Sequence, residues 1–286
     1  MRGAFGVIFR KLVCMPECED AKSCSVRTTC PYACVFEPQA SRGDGPSGLA
    51  DSPRSFVFRA SHLDGLTIHA GETFHFDVHI FDVGNPSIQY FVLAFAQLAR
   101  EGLGPGRGRA KLVAVEQLDL DGQTLNRVFD GDRFQMSELS PPNSIDLRPS
   151  EGRATQAIVR FVTPTELKGE SKLAEQPEFG VLFRRLRDRI NTLRTLYGAG
   201  KLDIDFRAMG ERASAVQMTK CQLMETEAER LSSRTGQRHS LGGFVGEVEY
   251  EGVLGEFLPY LRLGKWVGVG RQTVWGKGEI EVVEFS

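Results

Sequence analysis

Gly264-Lys-Trp-Val-Gly-Val-Gly-Arg-Gln-Thr-Val-Trp-Gly-Lys-Gly278 puts five glycines into fifteen positions close to the end of a 286-residue chain. That density predicts a loop rather than a regular element, with a backbone that takes positive φ values and comes close to some other surface. Upstream, Phe244, Val245, Val248 and Tyr250 form an apolar run bounded by Gly242-Gly243 and Glu251-Gly252, which reads as a strand. Leu254, Phe257, Leu258 and Leu261 then recur at helical spacing. From Leu258 to Gly278 the charged residues are Arg262, Lys265, Arg271 and Lys277, with no acid among them and with Trp266 and Trp275 interleaved. A cationic glycine loop with aromatic side chains suits phosphates and bases.

The same order occurs earlier in the chain. Strands are expected at Ser55 to Arg59 and Glu72 to Asp82, a helix from Ile88 to Arg100, then Gly102-Leu-Gly-Pro-Gly-Arg-Gly-Arg109 and a strand from Ala110 to Val115. In the second half, Ala157 to Val162 reads as a strand. Phe179, Phe183, Leu186, Ile190, Leu193 and Tyr197 describe a helix, and Ser214 to Leu223 a further strand. With the closing stretch this makes β-α-β-β-α-β, the ferredoxin-like order. Met1 to Val13 has a helical apolar face, so the first half reads α-β-β-α-β, the same order without its opening strand. The expected fold class is α+β: two tandem ferredoxin-like, RRM-like domains over residues 1–150 and 151–286, with a hairpin and linker at 122–150. The missing strand would precede Met1, so the chain is expected to be truncated, or its start to be assigned late.

Composition is that of an ordinary globular protein, 41% hydrophobic and 25% charged, with net charge −2. Nucleic-acid binding must therefore come from local patches. Besides the closing loop these are Arg100 to Lys111, with Arg107 and Arg109, and Phe183 to Lys201, with Arg184, Arg185, Arg187, Arg189 and Arg194. The helix arginines fit a solvated face or an RNA backbone equally well. No window approaches the roughly 18 apolar residues of a membrane span, and the N-terminus lacks a signal-peptide pattern, so the chain is read as cytoplasmic with no membrane partner.

Cys14, Cys18, Cys24, Cys30 and Cys34 fall within a segment of little apolar periodicity, an insertion at 14–34. In a reducing compartment such spacing favours a metal over disulfides, zinc or an iron–sulfur cluster, against the alternative of unliganded thiols. Cys14, Cys18, Cys24 and Cys30 are the preferred ligands, and Cys34 the one that packs as a small buried residue. His75, Asp77 and His79 alternate along a strand and are read as its solvent side rather than as a metal site. Both tryptophans are read first as core, with Trp266 also able to stack on a base.

The ordered set Arg2-Gly-Ala-Phe-Gly6, Cys30-Pro-Tyr, Gly106-Arg-Gly-Arg109, Phe161-Val-Thr-Pro-Thr-Glu-Leu167, Phe183-Arg-Arg-Leu-Arg-Asp-Arg-Ile190, Gly242-Gly-Phe-Val-Gly246 and Leu258-Pro-Tyr-Leu-Arg-Leu-Gly264 covers most of the chain. It resembles the RAMP superfamily of CRISPR-associated proteins, and within it the endoribonucleases that cut repeats out of precursor CRISPR RNA. The resemblance implies two ferredoxin-like domains, CRISPR repeat RNA as partner and a cut without a catalytic cofactor. In that cut the 2′-hydroxyl attacks the neighbouring phosphate and leaves 2′,3′-cyclic phosphate and 5′-hydroxyl ends. It needs a base, an acid and cations around the phosphorane.

Such enzymes often take a histidine from the first helix, which holds none here. His239 in Ser233-Arg-Thr-Gly-Gln-Arg-His-Ser240 is the substitute, its neutral form favoured by Arg234 and Arg238. His62 and His69 are weaker alternatives. Arg238 and Lys277 complete the catalytic set, with Arg238 or Lys265 neutralising the transition state and Arg271 and Lys277 on phosphate. The RNA-binding set is Arg107, Arg109, Arg184, Arg185, Arg234, Lys265, Arg271 and Trp266. Two other readings stand beside this one: a non-catalytic RNA-binding subunit among other CRISPR effector subunits, and an unrelated metalloprotein organised by the cysteines.

Overall fold

A computed structural model describes residues 2–21, 23–39, 52–82, 87–104, 106–135, 139–149, 154–169, 174, 176–198, 200–226, 229–231, 238–240 and 242–285. By contact the chain divides into two units, one of residues 1–44 and 82–145, the other of residues 45–81 and 146–286. The segment 45–81 thus groups with the C-terminal part.

In the first unit, α1 (Arg2–Val13), α2 (Pro31–Phe36) and α3 (Ile88–Glu101) meet through aromatic rings. Phe5 stacks on Phe95 at 4.4 Å, and Phe9 meets Phe36 edge-on at 5.2 Å. Phe5 and Phe9 are four apart and Phe91 and Phe95 are four apart, so each pair occupies one helix face. A hairpin follows, β3 (Val115–Leu118) against β4 (Thr124–Phe129). Its turn is held by Asp119 Oδ1, which accepts from the amides of Asp121 and Gln123 at 2.9 and 2.8 Å. The strand expected at Ala110 to Val115 starts only at Val115. Residues 110–114 have no regular structure, and the first unit's β pairing is confined, among the described residues, to this hairpin and two isolated bridges.

In the second unit, β5 (Gln156–Thr165), β6 (Gln217–Thr226), β9 (Gly243–Glu251) and β10 (Ile280–Phe285) form an antiparallel sheet ordered β10-β5-β9-β6. With α4 (Phe179–Tyr197) after β5 and α6 (Leu258–Val267) after β9, this is β-α-β-β-α-β with the two outer crossovers of a ferredoxin-like sheet. The reading missed α5 (Phe206–Ser214), whose start is marked by Asp205 accepting from the amides of Arg207 and Ala208 at 3.0 Å. In β5 the buried residues alternate: Ala157, Val159, Phe161, Thr163 and Thr165 face α4 and α6. Phe183 lies 4.6 Å from Phe257 and 5.4 Å from Tyr260, so α4 and α6 share one aromatic core. A fully buried phenylalanine here is worth about 3–5 kcal/mol against alanine.

The segment 45–81 contributes a two-stranded pair, β1 (Phe56–Arg59) with β2 (Asp77–Ile80). The strand expected from Glu72 starts only at Asp77. The Tyr197 hydroxyl donates to the Pro53 carbonyl at 2.8 Å and ties the start of this segment to α4. Between β6 and β9 a short pair forms, β7 (Glu229–Leu231) with β8 (Arg238–Ser240).

Candidate nucleic-acid interface

The glycine-rich stretch does not begin as a loop. Gly264-Lys-Trp-Val267 is the last turn of α6, and the loop proper starts at Gly268. A Cβ on Gly264 would run into the Ile280 side chain, so glycine is what allows α6 to lie directly on β10. The last carbonyls of a helix have no partner within it. Here three cationic or polar side chains supply them: Arg59 Nη2 donates to the Lys265 carbonyl at 2.7 Å, His79 Nδ1 to the Trp266 carbonyl at 2.9 Å and Arg189 Nε to the Val267 carbonyl at 2.8 Å. Positive charge at a helix C-terminus is favoured by the macrodipole as well.

Burial sets the electrostatics of that cap. It pushes Arg189 down to about 9, with Arg59 nearby acting in the same direction. Arg59 is lowered by burial, against the opposing pull of Glu279, whose carboxylate lies 3.6 Å away. His79 falls to about 4, chiefly because it is buried, so it is neutral at physiological pH. Its ring sits 4.9 Å from Trp266. The strand face His75-x-Asp77-x-His79 is therefore not wholly solvent: His75 is exposed and stacks with His62 at 4.6 Å, whereas His79 is a half-buried helix cap.

Beyond the helix the loop folds onto its own neighbours. Gly270 (φ +84°) and Gly278 (φ +70°) lie where a Cβ would run into the carbonyl oxygens of Glu166 and Val269. The backbone surface that the glycines approach is thus internal, the end of β5 and the loop itself, rather than a ligand. The Arg271 amide donates to the Glu166 carbonyl at 3.1 Å and the Gly278 amide to that of Pro164 at 3.2 Å.

Around Glu166 the charges converge. Its Oε2 lies 3.7 Å from both Lys277 Nζ and Arg271 Nη1. Lys277 is only 4% exposed, and its ammonium also donates to the carbonyl of Gly242, the residue before β9. Burial lowers its pKa, with Glu166 opposing. Lys277, expected to contact phosphate, is instead a buried brace joining the loop to the root of β9. The Arg271 side chain is 57% exposed, and Lys265 is exposed with its Nζ 5.5 Å from the Trp266 ring. Arg271 on the loop and Lys265 on the last turn of α6 are the two cations of the expected set exposed here.

The other expected residues lie apart from this pair. Arg107 and Arg109 are exposed on the first unit's tight loop, where Leu103 pairs with Gly108 and Arg107 takes φ 49°. On α4, Arg184 is half-buried, while Arg185 donates to the carbonyls of Lys168 and Gly169, both at 2.7 Å. Arg187 and Arg189 are buried, Arg187 donating to the Phe206 carbonyl at 2.6 Å, so that part of the arginine run forms neither a solvated face nor an RNA surface. Arg238 and His239 lie on β8, paired with Leu231 and Arg230; their side chains and the whole of Arg234 fall outside the described residues. His62 is exposed with Nε2 2.9 Å from the His75 carbonyl, and His69 is exposed on a turn. Cys14, Cys18, Cys24 and Cys30 line a separate cavity of the first unit. Glu166 and Arg59 carry no site role in the sequence, although Glu166 lies inside the quoted Phe161 to Leu167 stretch; His79, expected on the solvent side of its strand, caps α6 instead.

Residues 159–280 match the family model of the CRISPR-associated endoribonuclease Cas6, and residues 1–142 match a model described as an N-terminal domain. No curated protein sequence matches the chain. Among solved structures, the product complex of a Cas6 from Thermus thermophilus aligns over 98% of this chain and 92% of its own, with TM-score 0.51 and 15% identity. The product complex of another Cas6 aligns over 47% of this chain at 18% identity and TM-score 0.35. There the match spans 54% of the relative's length. A partial Cas6-RT-Cas1–Cas2 complex aligns over 81% of this chain and 39% of its own, at 16% identity and TM-score 0.46. The α+β fold with small antiparallel sheets is shared with the first of these, whose domains are tandem ferredoxin-like ones. No helix among the described residues is long and apolar enough to cross a membrane.

Proposed function

We infer, from the match of residues 159–280 to the family model of the CRISPR-associated endoribonuclease Cas6, that the chain binds CRISPR repeat RNA and cuts it to release guide RNAs. The observation that carries this reading is a pair of exposed cations, Lys265 on the last turn of α6 and Arg271 on the closing loop, which Lys277, Glu166 and the Gly242 carbonyl brace. A fixed pair of positive charges holds a phosphodiester without a large ordering cost, because the loop is already ordered.

The cut proceeds by attack of the ribose 2′-oxygen on the adjacent phosphorus while the 5′-oxygen leaves. His239 removes the 2′-hydroxyl proton, and the leaving oxygen takes up a proton; Arg238 and Lys265 oppose the charge that builds on the phosphorane. His239 comes three residues before Gly242, so the hairpin that carries it is rooted where Lys277 grips the chain. This chemistry needs no catalytic metal.

Labelled repeat RNA incubated with the protein in EDTA tests the reading. Cleavage is expected, with His239→Ala binding the RNA normally and cutting it at least a hundredfold more slowly, a drop of the order that general-base catalysis supplies. One observation favours a second reading: α1 carries no histidine. RNA bound but left whole by the wild-type chain would select a non-catalytic RNA-binding subunit.

A further inference from the structure

The cysteine cavity of the first unit has no part in the site described above. Cys14 follows α1, its amide donating to the Arg10 carbonyl at 2.9 Å. Cys18 closes a turn on the Met15 carbonyl at 3.0 Å. Cys24 opens a run of turns by accepting from Arg27 at 3.2 Å, and Cys30 ends that run on the Val26 carbonyl at 2.8 Å, just before α2. All four side chains line one cavity of about 170 Å³. None is in a disulfide. Cys34 stands apart, buried and donating to the Thr28 carbonyl at 3.5 Å.

Little else holds residues 14–30 in place. The apolar cluster beneath them is Ala21, Cys30 and Ala33 with the half-buried Cys14 and Tyr32, too few methylenes to order so many residues without regular structure. Arg10 adds two bonds, from Nη2 to the carbonyls of Cys18 and Glu19 at 2.9 and 2.8 Å, and so holds a positive charge beside the cavity.

We propose that Cys14, Cys18, Cys24 and Cys30 together bind one zinc ion as a closed structural site that pins residues 14–30 to the adjoining ends of α1 and α2. Among the described residues, no three His, Cys, Asp or Glu side chains stand close enough to hold an ion as they are. Ligation therefore displaces the four thiol protons to solvent and draws the sulfurs onto one centre. Four thiolates at Zn–S distances of about 2.3 Å lie about 3.8 Å from one another, so the four sulfurs that line this one cavity must converge on its centre. The doubly negative site that results faces the Arg10 guanidinium, an outer-shell partner of the kind such sites use.

The full chain, purified without chelator, should contain one zinc per molecule by plasma mass spectrometry. The Cys14→Ser, Cys24→Ser double variant should fall below a tenth of that, while Cys34→Ser and Cys221→Ser keep it. Should the double variant fail to fold, cobalt exchanged into the wild-type chain gives the same answer: intense visible and thiolate charge-transfer bands are expected, and a pale six-coordinate spectrum contradicts the site. A wild-type chain that stays metal-free after zinc addition, zinc retained by the double variant, or iron with labile sulfide in its place would each overturn the proposal.

Discussion

The buried ammonium of Lys277 donates a hydrogen bond to the carbonyl of Gly242 across 35 residues of sequence, with the Glu166 carboxylate 3.7 Å from the same nitrogen. This three-way contact joins the end of β5, the closing loop and the entry to β9. In the proposed mechanism it gives the loop cations and the His239 hairpin a common anchor.

Truncating Lys277 should be felt as stability before it is felt as chemistry. Lys277→Met takes the ammonium from the Gly242 carbonyl and leaves Glu166 only the exposed Arg271, at a cost of about 2–3 kcal/mol. Arg271→Ala, at an exposed position, should cost less than about 0.5 kcal/mol. Urea unfolding of the two variants checks the contrast, and equal losses would count against the brace.

The loop glycines should differ from other left-handed glycines in the chain. Gly104 (φ +69°) has nothing within 4 Å of a would-be Cβ, so Gly104→Ala should cost only the conformational penalty of about 1–2 kcal/mol. Gly270→Ala adds a collision with the Glu166 carbonyl and should exceed that by at least about 1 kcal/mol. Thermal unfolding of both proteins, side by side, decides it.

His79 makes stability depend on pH in a defined window. Its folded pKa of about 4 lies below the ordinary value near 6.5, so the unfolded chain takes up a proton that the native ring refuses. The contribution is fully present above about pH 6.5 and is lost as pH falls towards 4, on the order of 2 kcal/mol once partial exposure is allowed for. His79→Gln should flatten this part of the stability curve; an unchanged slope would place the titration elsewhere.

For RNA binding, Arg271→Ala and Lys265→Ala should each weaken affinity for every RNA sequence alike and reduce the slope of log affinity against log salt by about 1. Arg185→Ala should leave that slope unaltered, because its guanidinium is already engaged by the carbonyls of Lys168 and Gly169. Filter binding over a salt series measures all three.

The second unit was legible because its signals are local and periodic. Alternation at Ala157, Val159 and Phe161 marked β5, and the spacing of Phe179, Phe183 and Leu186 marked α4; the sheet order followed from the ferredoxin-like sequence of elements. What escaped depends on contacts far apart in the chain. Arg187 and Arg189 read as either a solvated face or an RNA surface because charge normally faces outward, yet the Phe206 and Val267 carbonyls accept from them in the interior. His79 read as a surface residue of β2 because nothing in its own strand announces Trp266, nearly two hundred residues on. Gly264 read as loop because propensity disfavours glycine in a helix, and only the proximity of Ile280 explains it.

The account turns on what the protein does to repeat RNA, and mapping the ends of the products tests it most directly. Wild-type protein and repeat RNA in EDTA should yield one cut within the repeat, leaving a 2′,3′-cyclic phosphate and a 5′-hydroxyl, and a 2′-deoxy substitution at the cut should abolish it. Intact RNA, or a cut that needs added metal and leaves a 5′-phosphate, would contradict the account.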